Sequence, residues 1–279
     1  MQIIENKYLK ATINEKGAIL NSIIYKPLNK EVQYQIQKDS WAFQDVVIFP
    51  LVGAGNYEYK NQNYTFSTRH GFLRTCTLDV LNSTKDSITL VLKANEETLK
   101  VYPFNFAFTI TYALNENKLV VSTSVKNLGK EELYFSYGSH TALKASSESG
   151  YIKFNKDFKF LPLNCGLIDV ENKENLSMNS VDLKKSTFQK LDTLVYKGEN
   201  EELTLFTGFD DIKVIYNFNT PYFAIWSNAK TGDFVCVEPW WGISNYINES
   251  KDLPSRVAIN KLKENEIASF SYSYTFKNN

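Results

Sequence analysis

The chain is predicted to be all-β, built from large antiparallel sheets packed face to face. Three observations carry this: alternating apolar and polar residues recur from end to end, polar breaks of hairpin length separate the runs, and long apolar stretches at helical spacing are nearly absent. Alternation is plain in EIASFSYSYTF (266–276), FAFTITYAL (106–114), KLVVSTSV (118–125) and SITLVLKA (87–94), and a period of two puts one set of side chains on one face of a strand. The breaks at 60–63, 83–86 and 115–117 are polar or Asn-rich and each joins two alternating runs, so neighbouring strands are expected to be antiparallel. The least strand-like stretch, 164–192, is polar and reads as a long excursion with at most one short helix. With no Gly/Ser/Pro linker and no repeat of fixed period, residues 1–279 are expected to form one domain of two large packed sheets.

Composition narrows the partners. The chain is 43% hydrophobic and 14% aromatic, enough for a sizeable core. Its 31 basic and 31 acidic residues cancel, and no long single-signed run exists to attract nucleic acid or an anionic membrane. The N-terminus lacks a basic segment followed by an apolar one, and no stretch approaches the roughly 18 apolar residues of a membrane span. Cys76, Cys165 and Cys236 are odd in number, far apart and in no C-x-x-C pair, which argues for a reducing compartment and against a zinc ribbon. A soluble, cytoplasmic protein is expected, with monomer and homodimer both open.

The chemistry concentrates in three windows. The chain holds only two histidines, His70 in RHGFLR and His140 in SYGSHTAL, and two of its three arginines, Arg69 and Arg74, bracket the first. Histidine trades protons near neutral pH, although a surface loop with charged flanks would look the same. The third window is DFVCVEPWWGISN, 233–245: an unbroken apolar run, suited to a strand covered on both faces, leads into Glu238. Pro239 is expected to end the ladder and leave the carboxylate at a sheet rim beside Trp240 and Trp241. Burial against indoles would raise its pKa toward that of a general base. Paired tryptophans beside an acid suit the stacking of a pyranose face, while core filling is the commoner fate of Trp. Two histidines and a glutamate could also bind zinc or iron, but separations of 70 and 98 positions, without H-E-x-x-H or a short H-x-H, argue for no metal.

Together the three windows, in this order, resemble the aldose 1-epimerase (mutarotase) family, and within it the LacX-like branch. Softer agreement runs through NEKGAILNSI near the start, VIFPLVG at 47–53, FQKLDTLVY at 188–196, PYFAIWS at 221–227 and the closing strand. The resemblance implies a galactose-mutarotase-like β-supersandwich with its sugar site on a concave sheet face. It implies that His140 is the general acid on the pyranose ring oxygen, that Glu238 takes the proton of the C1 hydroxyl, and that His70 polarises the ring oxygen. Asp192, in LDTLVY, would hold sugar hydroxyls. No cofactor is needed, because mutarotation makes and breaks one C–O bond. Many relatives carry Arg where this chain has Ala54; Arg74 is the expected substitute and Arg69 a weaker one. Since Arg can grip a phosphate, a hexose 6-phosphate stays open as substrate beside a free aldohexose. A binding module without turnover and a glycosidase, which needs two flanking carboxylates, are the competing functions.

Overall fold

A computed structural model of the chain describes residues 1–169, 177–198, 201–209 and 211–279. Strand outweighs helix by 53% to 7%, and the alternation seen in the sequence decides which side chains are buried. In Phe106–Asn115 every second residue is buried: Phe106, Phe108, Ile110, Tyr112 and Leu114. Its neighbour Lys118–Asn127 repeats this with Leu119, Val121, Thr123 and Val125, in register from Phe106↔Asn127 to Asn115↔Lys118. A strand read this way keeps one face on the core and one in solvent. The hairpin Asn56–Tyr59/Gln62–Thr65 closes through Lys60 and Asn61 at φ +50° and +61°, the two left-handed residues that match a tight turn to the twist of its strands.

Among the described residues the largest sheet joins fifteen strands, all of its ladders antiparallel. From one edge it runs Val47–Ile48, Tyr137–Ser139, Phe234–Trp241, Tyr222–Trp226, Leu194–Lys197 and Tyr151–Leu161, then continues through Ile267–Asn278 to Asp79–Ser83. Part of the polar 164–192 excursion lies outside the described residues. The rest contains the helix Lys185–Leu191, as its composition allowed, and also the strand Ser177–Asp182 paired to Tyr151–Leu161, which it did not announce.

Three strands near the first edge are buried on both faces. Leu194 and Tyr196, Phe223 and Ile225, and Val235, Val237 and Trp241 belong to the main core. Their alternates Val195, Ala224 and Trp240 join a second cluster with Val46, Ile48 and Ile243. Period-two geometry makes that cluster the opposite face of the same strands. The expectation that Pro239 ends the ladder and leaves Glu238 at a rim is corrected: Phe234–Trp241 runs through the proline, pairing Pro239 with Phe223, and Glu238 lies mid-strand opposite Ala224.

A buried carboxylate ties the first-edge region to the small N-terminal sheet. Asp45 accepts the Leu20 N–H at 2.8 Å and the Thr141 hydroxyl at 2.7 Å. Burial raises its pKa to about 6, and those two hydrogen bonds oppose the rise only in part. The folded chain therefore binds this proton more tightly than the unfolded one, so the contribution of Asp45 to stability is greatest at low pH and falls as pH rises from about 4 through about 6. Relative to Asp45→Asn, the wild-type unfolding free energy is expected to drop by about 2 kcal/mol between about pH 4 and about pH 7, measurable by urea denaturation at both values. A difference independent of pH would contradict the assignment.

Candidate functional site

The edge of Phe234–Trp241 facing Val47–Ile48 is shared by two short strands with a break between them. Tyr137–Ser139 pairs Gly138 with Trp240, and Ala142–Lys144 pairs Ala142 with Cys236. His140 falls in the break, opposite Glu238, and on its other edge its backbone continues the Val47–Ile48 ladder to Val46, giving N–H to its carbonyl at 2.9 Å and accepting from its N–H at 3.2 Å. Pro239, which has no N–H for a ladder, sits where the ladder is already interrupted. Gly138 is required beside it: a Cβ there would lie 2.7 Å from Trp240 Cδ1. The result is His140 Nε2 at 3.5 Å from Glu238 Oε1, too long for a good hydrogen bond and short enough for both groups to serve one ligand.

These side chains form the floor of a cavity of about 330 Å³, lined also by Arg69, His70, Asp192, Trp226 and Trp240. That is the small end of the size range for small-molecule sites and suits one sugar ring. His70 enters on a left-handed turn, φ +66°, followed by Gly71 at φ +78°, where a Cβ would sit 2.0 Å from the Phe49 carbonyl. The His70 N–H bonds the Gly53 carbonyl at 2.8 Å, and Gly53 N–H donates to His70 Nδ1 at 3.3 Å. An imidazole that accepts at Nδ1 carries its proton on Nε2, which makes its free end a donor. Asp192 comes from the C-cap of Lys185–Leu191, where its φ of +53° turns the chain into Leu194–Lys197.

The electrostatics follow from burial. Glu238 is 1% exposed, and desolvation pushes its pKa well above the carboxylate range, with the Trp240 indole opposing in part. His140 is enclosed except at the cavity. Desolvation, then the Arg74 charge, lowers it to about 3, and its own backbone resists slightly. His70 is lowered well below the usual imidazole value by burial, then by His140, Arg74 and Arg69. Burial thus favours two neutral imidazoles and a protonated Glu238.

Of the residues singled out in the sequence, His70, His140, Glu238, Asp192, Arg69 and Trp240 share this cavity, and two do not. Trp241 is one residue out of phase with Trp240, so it points into the main core, stacked on Tyr137 at 5.4 Å with its indole N–H on the Asn219 carbonyl. Arg74 stands behind Arg69, giving Nη2 to the Arg69 carbonyl at 2.6 Å with its guanidinium over Phe43. The order expected for the two arginines is reversed: Arg69 lines the cavity. The sequence reading missed Trp226, at the wall, and Trp41, whose ring stacks on His140 at 4.7 Å and 21°. Scarcity was the available signal, because tryptophan occurs only four times in the chain.

Comparison with known proteins agrees with this architecture. The family model described as aldose 1-epimerase matches residues 1–275. The chain is 26% identical to the chromosomal protein LacX of Lactococcus lactis subsp. lactis across 99% of both chains. Its fold superposes on a galactose mutarotase related enzyme from Lactobacillus acidophilus with a TM-score of 0.93, at 31% identity over 99% of this chain and 97% of that one. A galactose mutarotase-like protein from Lactobacillus casei gives 0.91 at 23% identity, covering 99% and 100%. The antiparallel sheets are those of the galactose-mutarotase-like β-supersandwich. With a match that spans nearly every residue, the chain belongs to the aldose 1-epimerase family.

Proposed function

We propose that the protein is an aldose 1-epimerase that interconverts the α and β anomers of an aldohexose between His140 and Glu238. The observation that carries this reading is the 3.5 Å approach of an imidazole to a buried carboxylate on the floor of a monosaccharide-sized cavity. The two oxygens that exchange protons in mutarotation, the ring oxygen and the C1 hydroxyl, are bonded to the same carbon, so the groups serving them must be close neighbours. Glu238 takes the proton from the C1 hydroxyl while His140 gives one to the ring oxygen; the C1–O5 bond breaks and the aldehyde forms. C1 turns, and closure on its other face returns both protons. His70, a neutral donor, holds the ring oxygen, and Asp192 and the Trp226 and Trp240 rings hold the rest of the sugar.

The pair needs one shared proton. With the proton on His140 the pair opens the ring; with the proton on Glu238 it closes the ring, and each half-reaction converts one arrangement into the other. Burial favours the neutral arrangement, which is the one present when the sugar is open. Glu238→Gln is expected to lower kcat by roughly 10² to 10⁴ while changing sugar affinity little, as read by NMR exchange on α-glucose and α-galactose. No acceleration of any aldose or aldose phosphate by the wild type would end the reading. Because a second proton reaches the pair only far below the unperturbed imidazole value of about 6.5, kcat/KM is expected to hold steady from about pH 7 to about pH 6. A halving over that interval would contradict a pair that works with one proton.

One observation favours a phosphorylated substrate. Arg69 lines the cavity with a single contact, Nη2 to the Gly166 carbonyl at 3.3 Å, and no carboxylate partner among the described residues. A phosphate on the far carbon of the sugar would supply one. In that case Arg69→Ala raises KM for glucose or galactose 6-phosphate about tenfold or more and leaves KM for the free sugar within about twofold. Equal losses on both substrates would assign Arg69 to hydroxyl contacts instead.

A further inference from the structure

We propose that the cavity floor and the buried thiol beside it also form a site for a thiophilic divalent cation, zinc by its chemistry, held by His140 Nε2, the Glu238 carboxylate and Cys236 Sγ, and that the bound ion shuts the acid/base pair down. The sheet register assembles the three ligands. Cys236 and Glu238 are two apart in one strand and so share a face. The cross-strand pairs Ala142↔Cys236 and Gly138↔Trp240 leave His140 over the same spot. The three ligand atoms lie within 4.8 Å of one another, and the His140–Glu238 separation is 3.5 Å. Zinc bonds of about 2.0–2.3 Å in tetrahedral geometry require ligand-to-ligand edges of about 3.3–3.7 Å. One edge already has that length, and the two to the thiol exceed it by at most about 1 Å.

One further observation points to a ligand at this spot: the Glu238 side chain is only 2% exposed, yet its Oε2 has no hydrogen-bond partner among the described residues. Charge balance is compatible with a cation there. A thiolate, a carboxylate and a neutral imidazole cancel a doubly charged cation, so the loaded cluster carries no net charge to bury. Either anion alone suffers the full desolvation penalty that now raises both the Cys236 thiol and the Glu238 carboxyl. The Arg74 charge felt at His140 opposes a cation and keeps affinity below that of a dedicated structural centre. The consequence for turnover rests on the mutarotase reading: a metal on His140 and Glu238 replaces the proton they share. Binding itself does not depend on that reading.

The test uses the full chain and cobalt(II) as a spectroscopic probe, followed by zinc. The expected result is a near-ultraviolet thiolate-to-cobalt band with tetrahedral visible bands, displaced by zinc. The band should be lost in Cys236→Ser and in Cys236→Ala and retained in Cys165→Ser, which changes the exposed thiol at the cavity wall. In the activity arm each protein is compared with its own zinc-free rate: zinc inhibits the wild type and a chelator restores it, while Cys236→Ser needs roughly tenfold more zinc for the same fractional inhibition. A Cys236-dependent band supports the site even in a protein that turns over no sugar. No thiolate band, or one that vanishes with Cys165, overturns the site even where mutarotation is fast.

Discussion

The candidate site depends on one interruption in a hydrogen-bonded ladder. Two strand fragments share one edge of Phe234–Trp241, and between them only the far edge stays paired, where His140 carries the Val47–Ile48 ladder on to Val46. The register of the flanking pairs sets the His140 imidazole over the Glu238 carboxylate, and Pro239 on the facing strand has no N–H with which to close the gap. Asp45, bonded to Thr141 and Leu20, ties the segment from behind, and Trp41 covers the imidazole ring. Backbone pairing, a buried hydrogen bond and ring stacking thus hold the His140 segment from three sides.

Burial gives these groups their character. Glu238 Oε2, His140 Nδ1 and Trp240 Nε1 are buried polar atoms without a protein partner among the described residues. Native proteins leave few such atoms, and those they leave often mark function. The electrostatic pattern is consistent: desolvation pushes the carboxyl up and both imidazoles down, and the arginine charges lower the histidines further. Groups whose affinities for a proton are driven apart from their solution values in one enclosed space are the usual raw material of acid/base chemistry.

Much of this was legible in the chain, for identifiable reasons. Strict alternation exposed the strands, because every second residue of a one-sided strand must be apolar. Rarity exposed His70 and His140, and an acid after four apolar residues exposed Glu238. Proline was misread because its effect depends on the neighbouring edge: it ends a strand whose ladder is intact and fits one whose ladder is already broken, and the break arises from residues a hundred positions away. Trp241 was misassigned because adjacency in sequence means opposite faces in a strand. The order of Arg69 and Arg74 turned on a tight turn at His70 and Gly71, which composition does not resolve. Ser177–Asp182 carries no alternation because much of it is solvent-exposed, and pairing with Tyr151–Leu161 holds it as a strand.

The division of Phe234–Trp241 into two faces separates two kinds of selective pressure along eight residues. Val235, Val237 and Trp241 are wedged into the main interior, where a change in volume alters how well the chain folds. Glu238 and Trp240 look the other way, into the cavity, where a change in chemistry alters what the cavity receives. Mutational scanning of Val237 to Trp241 would therefore alternate between loss of abundance and loss of specificity, whereas Phe234 and Cys236, enclosed with Tyr34 and Ala142 in an apolar cluster of their own, belong with the scaffold.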